Sequence, residues 1–261
     1  LVDLYAALRL TEEFLDQGPT CVIVKHTNPC GVAHGDTALE AFRRALEGDP
    51  VSAFGGIVSL NVPVSRELAE ALNEMFLEIV AAPDFEEGAW EILTRKKNRR
   101  IVQVNYPLPH TLDYRVLGGD LLVQEEDRTV LDPSRLEVVA DQPPDEATLR
   151  DLTFAYTVVK HVKSNAIVVA HNLQVLGVGA GQTNRVRAVE LALDQAGEKA
   201  RGAVLASDAF FPFPDSIERA AQAGIRAVIQ PGGSVRDEQV IQRARELGLT
   251  LLHTGVRHFR H

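Results

Sequence analysis

Residues 225–254 read IRAVIQPGGSVRDEQVIQRARELGLTLLHT, and this stretch decides the fold class. IRAVIQ (225–230) is a short apolar strand, PGGS begins a turn, VRDEQVIQRARELG (235–248) repeats its apolar residues at helical spacing, and LTLLHT (249–254) is a strand again. Ser234 with Asp237 makes a capping-box-like start, and Gly248 suits the helix end. Just upstream, GAVLAS (202–207) and PDSIERAAQAG (214–224) supply another strand and another helix. Strands alternating with such helices build βαβ units on a parallel sheet.

Further upstream, AIVVAH (166–171) and QVLGVG (174–179) flank a short polar stretch, the pattern of a β-hairpin. AGQTNRVRAVELALDQAG (180–197) reads as a glycine loop opening a helix, and VKHTNPCGVAHGDTALEAFRRALEG (24–48) as strand, turn and helix. SAFGGIVSLNVPVS (52–65) is glycine loop and strand, and SRELAEALNEMFLEIV (65–80) is expected to be one helix. From about 104 to 150, PLPH, GGD, DPS and DQPPDE break the pattern, and DQPPDE (141–146) is the best candidate linker. The expected organisation is an α/β chain in two parts, 1–140 and 141–261.

The composition is that of a globular protein: 261 residues, 45% apolar and 24% charged. No apolar run is long enough for a transmembrane helix, so no membrane partner is expected. LVDLYAALRLTEEF (1–14) lacks the basic start of a signal peptide and reads as a helix already under way, as though the chain begins inside a larger domain. Cys21 and Cys30 form no disulfide framework, which points to a reducing cytoplasm. A net charge of −9 argues against nucleic acid as a partner. The basic cluster TRKKNRR (94–100) reads as a solvated turn before the strand IVQVN.

Chemistry concentrates at loop mouths. Lys25 and His26 follow a run of β-branched residues, at the carboxyl end of a strand, where open α/β sheets bind ligands. Neighbouring residues on a strand face opposite ways, so both reach one ligand only if the backbone bends there, and Asn28, Pro29 and Gly31 are the expected bend. Imidazole and desolvated amine both suit proton transfer, while a solvated pair at a loop mouth is the plain alternative. Cys30 reads as a packing residue. GVGAGQ (177–182) lacks the context of a dinucleotide fingerprint; its amides, with Arg185 and Arg187 behind them, could receive an anion, or its glycines could serve only a tight turn. Asn165 could orient an imidazole. In SDAFFPF (207–213), Asp208 sits beside Phe210, Phe211 and Phe213, a rigid loop able to wall a pocket. TGVRHFRH (254–261) follows a strand end and could close a site for an anion. Zinc-ligand spacings, nucleophile elbows and Walker loops are absent. Cations at Lys25, Lys163, Arg185, Arg187, Arg257 and Arg260, against an acidic whole, favour an acidic small molecule.

Seven ordered blocks then carry a resemblance: VKHTNPCGVA, DPVSAFGGIVSLN, KSNAIVVA, GVGAGQTNRV, ASDAFFPF, QPGGSVRDE and TGVRHFRH. The chain resembles the formyltransferase (AICAR transformylase) part of the bifunctional purine-biosynthesis enzymes, in their bacterial form, that also carry IMP cyclohydrolase. The resemblance implies formyl transfer from 10-formyl-tetrahydrofolate, a co-substrate, to the 5-amino group of AICAR (5-aminoimidazole-4-carboxamide ribonucleotide), without a metal. It implies a duplicated cytidine-deaminase-like α/β/α fold without zinc, and a homodimer with active sites at the interface. The family's catalytic pair falls on Lys25 and His26, its assisting asparagine on Asn165, and its catalytic-site aspartate on Asp208. Nucleotide contacts fall on Gly55, Glu78 and Arg257; Arg185 and the GAGQ loop are similar to binding elements. The cyclohydrolase domain and the family's Arg-Tyr-Gly and Asn-Pro-His-Gln motifs do not occur here. An inactive folate- or nucleotide-binding fragment is therefore the alternative expectation, with a zinc nucleoside deaminase and a phosphate-binding interaction module as further ones.

Overall fold

The computed structural model describes residues 1–261. A first set of elements runs α1 (Val2–Glu12), β1 (Thr20–Lys25), β2 (Asn28–His34), α2 (Ala38–Gly48), β3 (Gly56–Leu60), α3 (Arg66–Asn73), β4 (Leu77–Ala82), α4 (Ala89–Thr94) and β5 (Arg100–Gln103). An excursion follows, made of the hairpin β6 (Leu112–Leu117) and β7 (Asp120–Glu125) and of β8 (Glu137–Ala140). The second set runs α5 (Glu146–Val159), β9 (Ile167–His171), β10 (Gln174–Gly179), α6 (Arg185–Ala196), β11 (Val204–Ser207), α7 (Asp215–Gln222), β12 (Ala227–Gln230), α8 (Asp237–Glu246) and β13 (Thr250–His253). Both sets have the same order: helix, hairpin, then three helix–strand pairs.

One mixed sheet joins them, in the order β5-β4-β3-β1-β2-β10-β9-β11-β12-β13-β8. Within each set the hairpin is antiparallel, the next strand runs antiparallel to it, and the last two pairings are parallel. The sets meet antiparallel, with Gln174 of β10 opposite Ala33 of β2. They therefore point in opposite directions. One end of the sheet shows the carboxyl ends of β1, β11, β12 and β13 beside the amino ends of β3, β4 and β5. The rule that placed ligands at carboxyl ends holds for only half of it.

The strands are buried on both faces, which is why CVIV and AIVVA read as continuous apolar runs. Val22, Val24, Val168 and Ala170 face α1 and α5. Ile23 and Val58 pack among α2, α3 and α4, and Val169 and Leu205 among α6, α7 and α8. Two close approaches need glycine. A β-carbon on Gly31 would lie 2.1 Å from the Ala45 carbonyl oxygen of α2, and one on Gly177 2.0 Å from that of Ala192 in α6.

Three expectations are corrected. SRELAEALNEMFLEIV is not one helix: α3 stops at Asn73, and LEIVAA is the strand β4, parallel to β3. Its β-branched Ile79 and Val80 lie in the sheet core, and that burial overrides the helical pattern. NPCG is not the turn but the start of β2. Arg99, in the basic cluster, is buried and donates to the carbonyls of Leu72 and Met75 (both 3.1 Å), satisfying the end of α3. The weakly patterned 104–150 region holds the exposed β6–β7 hairpin and β8, an edge strand on β13.

Candidate active site

The first hairpin turns on His26 (φ 50°) and Thr27 (φ 64°), both left-handed. Two such residues give the primed turn whose twist suits a two-residue hairpin, although the β-branched Thr27 is poorly suited to that region. Neighbours hold it. Asp3 Oδ1 in α1 accepts from the Thr27 N–H (2.9 Å), and the His26 carbonyl accepts from Thr27 Oγ1 (2.7 Å) and Asn28 Nδ2 (3.1 Å). The reversal brings Lys25 and His26 to one hollow of ≈ 220 Å³, whose wall also includes Asn28, Asp49, Val178 and Gln195. The bend thus falls at His26–Thr27, just before the Asn28–Gly31 stretch that the sequence suggested.

The Lys25 ammonium donates to the Phe54 carbonyl (2.8 Å). Gly55 adjoins it: a β-carbon there would lie 3.0 Å from Lys25 Nζ. Asp49 accepts from the Ser52 N–H (2.9 Å) and lines the same hollow. Cys30 also lines the hollow, but burial, helped by Asp49, pushes its thiol up to about 12. It is a packing residue.

The second set contributes a buried network at the same end of the sheet. Arg185, the first residue of α6, donates to Ser207 Oγ (2.9 Å), to the Asp208 carboxylate and to Asn165 Oδ1 (2.6 Å). Asp208 is 1% exposed and also accepts from the Ala166 N–H (3.1 Å) and Ser164 Oγ (2.5 Å). Asn165 Nδ2 donates to the Gln182 carbonyl (2.8 Å), so both ends of its amide are engaged and neither meets His26. Arg185, read as an anion receiver, is held inside the protein, and Arg187 pairs with Glu190 (3.0 Å). One contact ties network and turn: Asn28 Oδ1 accepts from the Lys163 N–H (3.0 Å).

The C-terminal tail is pinned to this network. The Ser164 N–H donates to the Arg260 carbonyl (2.8 Å), and the His258 N–H to the Asp208 carbonyl (2.9 Å). The His258 imidazole sits on Asp127 (2.5 Å); burial works to raise that carboxyl, but the His258 hydrogen bond and charge, the Thr129 N–H and the Lys160 charge together outweigh it and hold it at about 2. Arg257 is exposed, its guanidinium 5.1 Å from the Phe259 ring centre. Phe211 is core, Phe210 half-buried, and Phe213 exposed with Arg236 4.3 Å above its ring. Glu78 lies at the same sheet end on β4 but pairs with Arg100 (3.1 Å). Asp3, Asn28, Asp49 and Gln195 were missed as site residues; only their distant partners reveal them. No three His, Cys, Asp or Glu side chains are grouped to hold a metal ion.

Fold and site together define an α/β protein with an amine and an imidazole converging on one hollow. Residues 1–195 match the family described as AICARFT/IMPCHase bienzyme, and the chain belongs to that family. It is 54% identical to the bifunctional purine biosynthesis protein PurH of Anoxybacillus flavithermus, over 99% of this chain and 51% of that one. The Desulfitobacterium hafniense protein of the same name is 53% identical over 100% of this chain and 50% of its own length. The chain spans about half the length of the curated relatives it matches. Among solved structures, Acinetobacter baumannii RibD, form 2, aligns with 39% of this chain and 32% of that one at 16% identity and a TM-score of 0.30, too slight to bear on the fold.

Proposed function

We propose that this chain transfers a formyl group from 10-formyl-tetrahydrofolate to the 5-amino group of AICAR, giving FAICAR, in purine biosynthesis. The convergence of Lys25 and His26 on one hollow carries the reading. The AICAR amine is a poor nucleophile because its lone pair is delocalised into the imidazole carboxamide. It must lose a proton as it attacks the formyl carbon, and the folate nitrogen must gain one to leave. His26 takes the first proton. Lys25 stabilises negative charge on the formyl oxygen or serves the leaving nitrogen. Asn165 is assigned to orient the imidazole, a role that requires its amide to exchange Arg185 or Gln182 for His26 as substrate enters. Asp208 acts through Arg185, Ser164 and Ala166, holding that loop in shape. Gly55, Glu78 and Arg257 are assigned to the nucleotide, and Arg185 and Phe210 to the substrate-binding site.

The repeated element order supports a duplicated cytidine-deaminase-like unit, divided near residue 140, working without zinc. Exposed His26, Phe213 and Arg257 suit a homodimer whose partner completes each site. A cytoplasmic location follows from the substrates.

Replacing His26 by alanine should lower kcat by about 10²–10⁴-fold with the circular dichroism spectrum intact; near-normal turnover would remove His26 from its role. A second reading, a folate- or nucleotide-binding fragment of that enzyme, draws on the half-length match to the relatives. AICAR binding by calorimetry without turnover at any chain concentration would favour it.

A further inference from the structure

We infer that Asn28 is a positioning residue for this site. Its side-chain amide locks the turn carrying Lys25 and His26 to the loop carrying Ser164 and Asn165, an inference that rests on the formyl-transfer reading. The amide has two backbone partners of opposite polarity: Nδ2 donates to the His26 carbonyl (3.1 Å) and Oδ1 accepts from the Lys163 N–H (3.0 Å). Those partners fix its orientation, since the flipped amide would set donor against donor and acceptor against acceptor. One planar group therefore spans two loops that are 135 residues apart in the chain and belong to different sets of elements.

The turn needs such a fixture. His26 and Thr27 both lie in the left-handed region, which persists in residues of their kind only where surroundings impose it. Asp3 grips the Thr27 N–H, leaving the His26 carbonyl, at the residue assigned to proton transfer, to Asn28 and the Thr27 hydroxyl. The second hairpin is also joined to the other set, but not by one amide that holds its own turn carbonyl. There Gln174 follows the turn as Asn28 follows the first, yet its amide nitrogen donates to the Arg44 carbonyl (2.7 Å), and Arg44 itself caps the turn carbonyl of Asn172. Gln174 also meets the Glu47 carboxylate (3.5 Å), so both of its partners lie in α2 and neither in its own turn; one amide holding turn and opposite loop together is found at the turn that bears the lysine and the histidine.

The two loops carry groups assigned to one reaction, so their relative placement sets kcat. Misplacing reacting groups by about an ångström costs on the order of 10²-fold. In Asn28→Ala, we expect kcat for formyl transfer to fall about 10–100-fold, with KM for AICAR unchanged. The Lys163 amide should exchange its hydrogen faster, and the His26 imidazole NMR signal should shift toward that of a mobile side chain. Asn28→Asp keeps an acceptor for Lys163 but sets a carboxylate against the His26 carbonyl; it should keep Lys163 protected and still lose kcat. An unchanged kcat in either variant, or Lys163 exchange unmoved in Asn28→Ala, would overturn the assignment. If Asn28→Ala does not fold, Asn28→Asp decides. Absence of turnover in the unsubstituted chain would defeat formyl transfer alone, and the exchange and imidazole readouts would still decide whether Asn28 holds the turn.

Discussion

The two hairpin turns, His26–Thr27 and Asn172–Leu173, occupy the same place in their sets and lie at opposite ends of the sheet. Their backbones match: φ is 50° and 64° in the first, 49° and 56° in the second. Each is gripped by an aspartate of the helix before it, Asp3 in one case and Asp151 in the other, where both carboxylate oxygens accept at 2.8 Å from Asn172 and Leu173. Their surroundings differ. Arg44 reaches across from α2 to the carbonyls of Asn172 and His34 and closes the second turn. His26 and Asn172 are both exposed, but the His26 carbonyl is met by Asn28 and the Thr27 hydroxyl instead of an arginine, and a hollow lies beside it. A left-handed turn is common to both sets; the proposed chemistry belongs to the one beside the hollow.

That contrast can be broken. The largest effect should come from comparing His26→Ala with Asn172→Ala: kcat falls by about 10²–10⁴-fold in the first and is unchanged in the second. Equal losses in both would mean that turn integrity matters and the imidazole does not. Acid should separate the two ends next. Burial first, then the charges of Arg44 and Arg150, hold the buried His34 ring down at about 4. The His34 backbone N–H donates to the Leu173 carbonyl (3.0 Å), so the residue belongs to the closed turn. Because the folded ring releases its proton more readily than the unfolded one, whose pKa is about 6.5, the unfolded state binds more protons between these values. Stability is then full above pH ~6.5 and falls as pH drops toward 4, by up to about 3 kcal/mol. Thermal melts over that range should show the slope, and His34→Gln should flatten it.

Gly31→Ala and Gly177→Ala should each destabilise by about 1–3 kcal/mol in denaturant titrations, because a β-carbon meets helix backbone in both sets. Unequal costs would show that the two helix–sheet contacts are not alike. The smallest effect should separate strain from function. Leu173→Gly relieves a left-handed residue but gives up a half-buried side chain packed on the core, so stability should change by less than about 1 kcal/mol with kcat unchanged. Thr27→Gly should likewise change stability little while kcat falls, since the relaxed turn no longer aims His26.

Much of the scaffold was legible. The 202–254 stretch and the 166–179 hairpin announce themselves because apolar spacing and punctuation agree. The first hairpin misled because Asn-Pro-Cys-Gly has the composition of a turn, whereas the turn is made by His-Thr, residues with no such preference. There the conformation is imposed from outside, by Asp3 and by the strand register. Lys25, His26, Asn165, Arg185 and Asp208 stand out as a motif. What a motif cannot reveal is engagement: Arg185 reads as a spare cation, yet Asp208 and Asn165 take its guanidinium. Asn28 reads as a bend residue for the same reason, since its partner Lys163 belongs to the other half of the chain.

The antiparallel seam between β2 and β10 bears on how the chain comes apart. Both strands are interior to the sheet only because each covers the other's open side. Severing the backbone anywhere in 104–145 should leave the two pieces bound together. Producing either piece alone would bare an apolar strand edge of the kind that drives aggregation. The repeated halves are therefore mutual chaperones, and neither is a portable module.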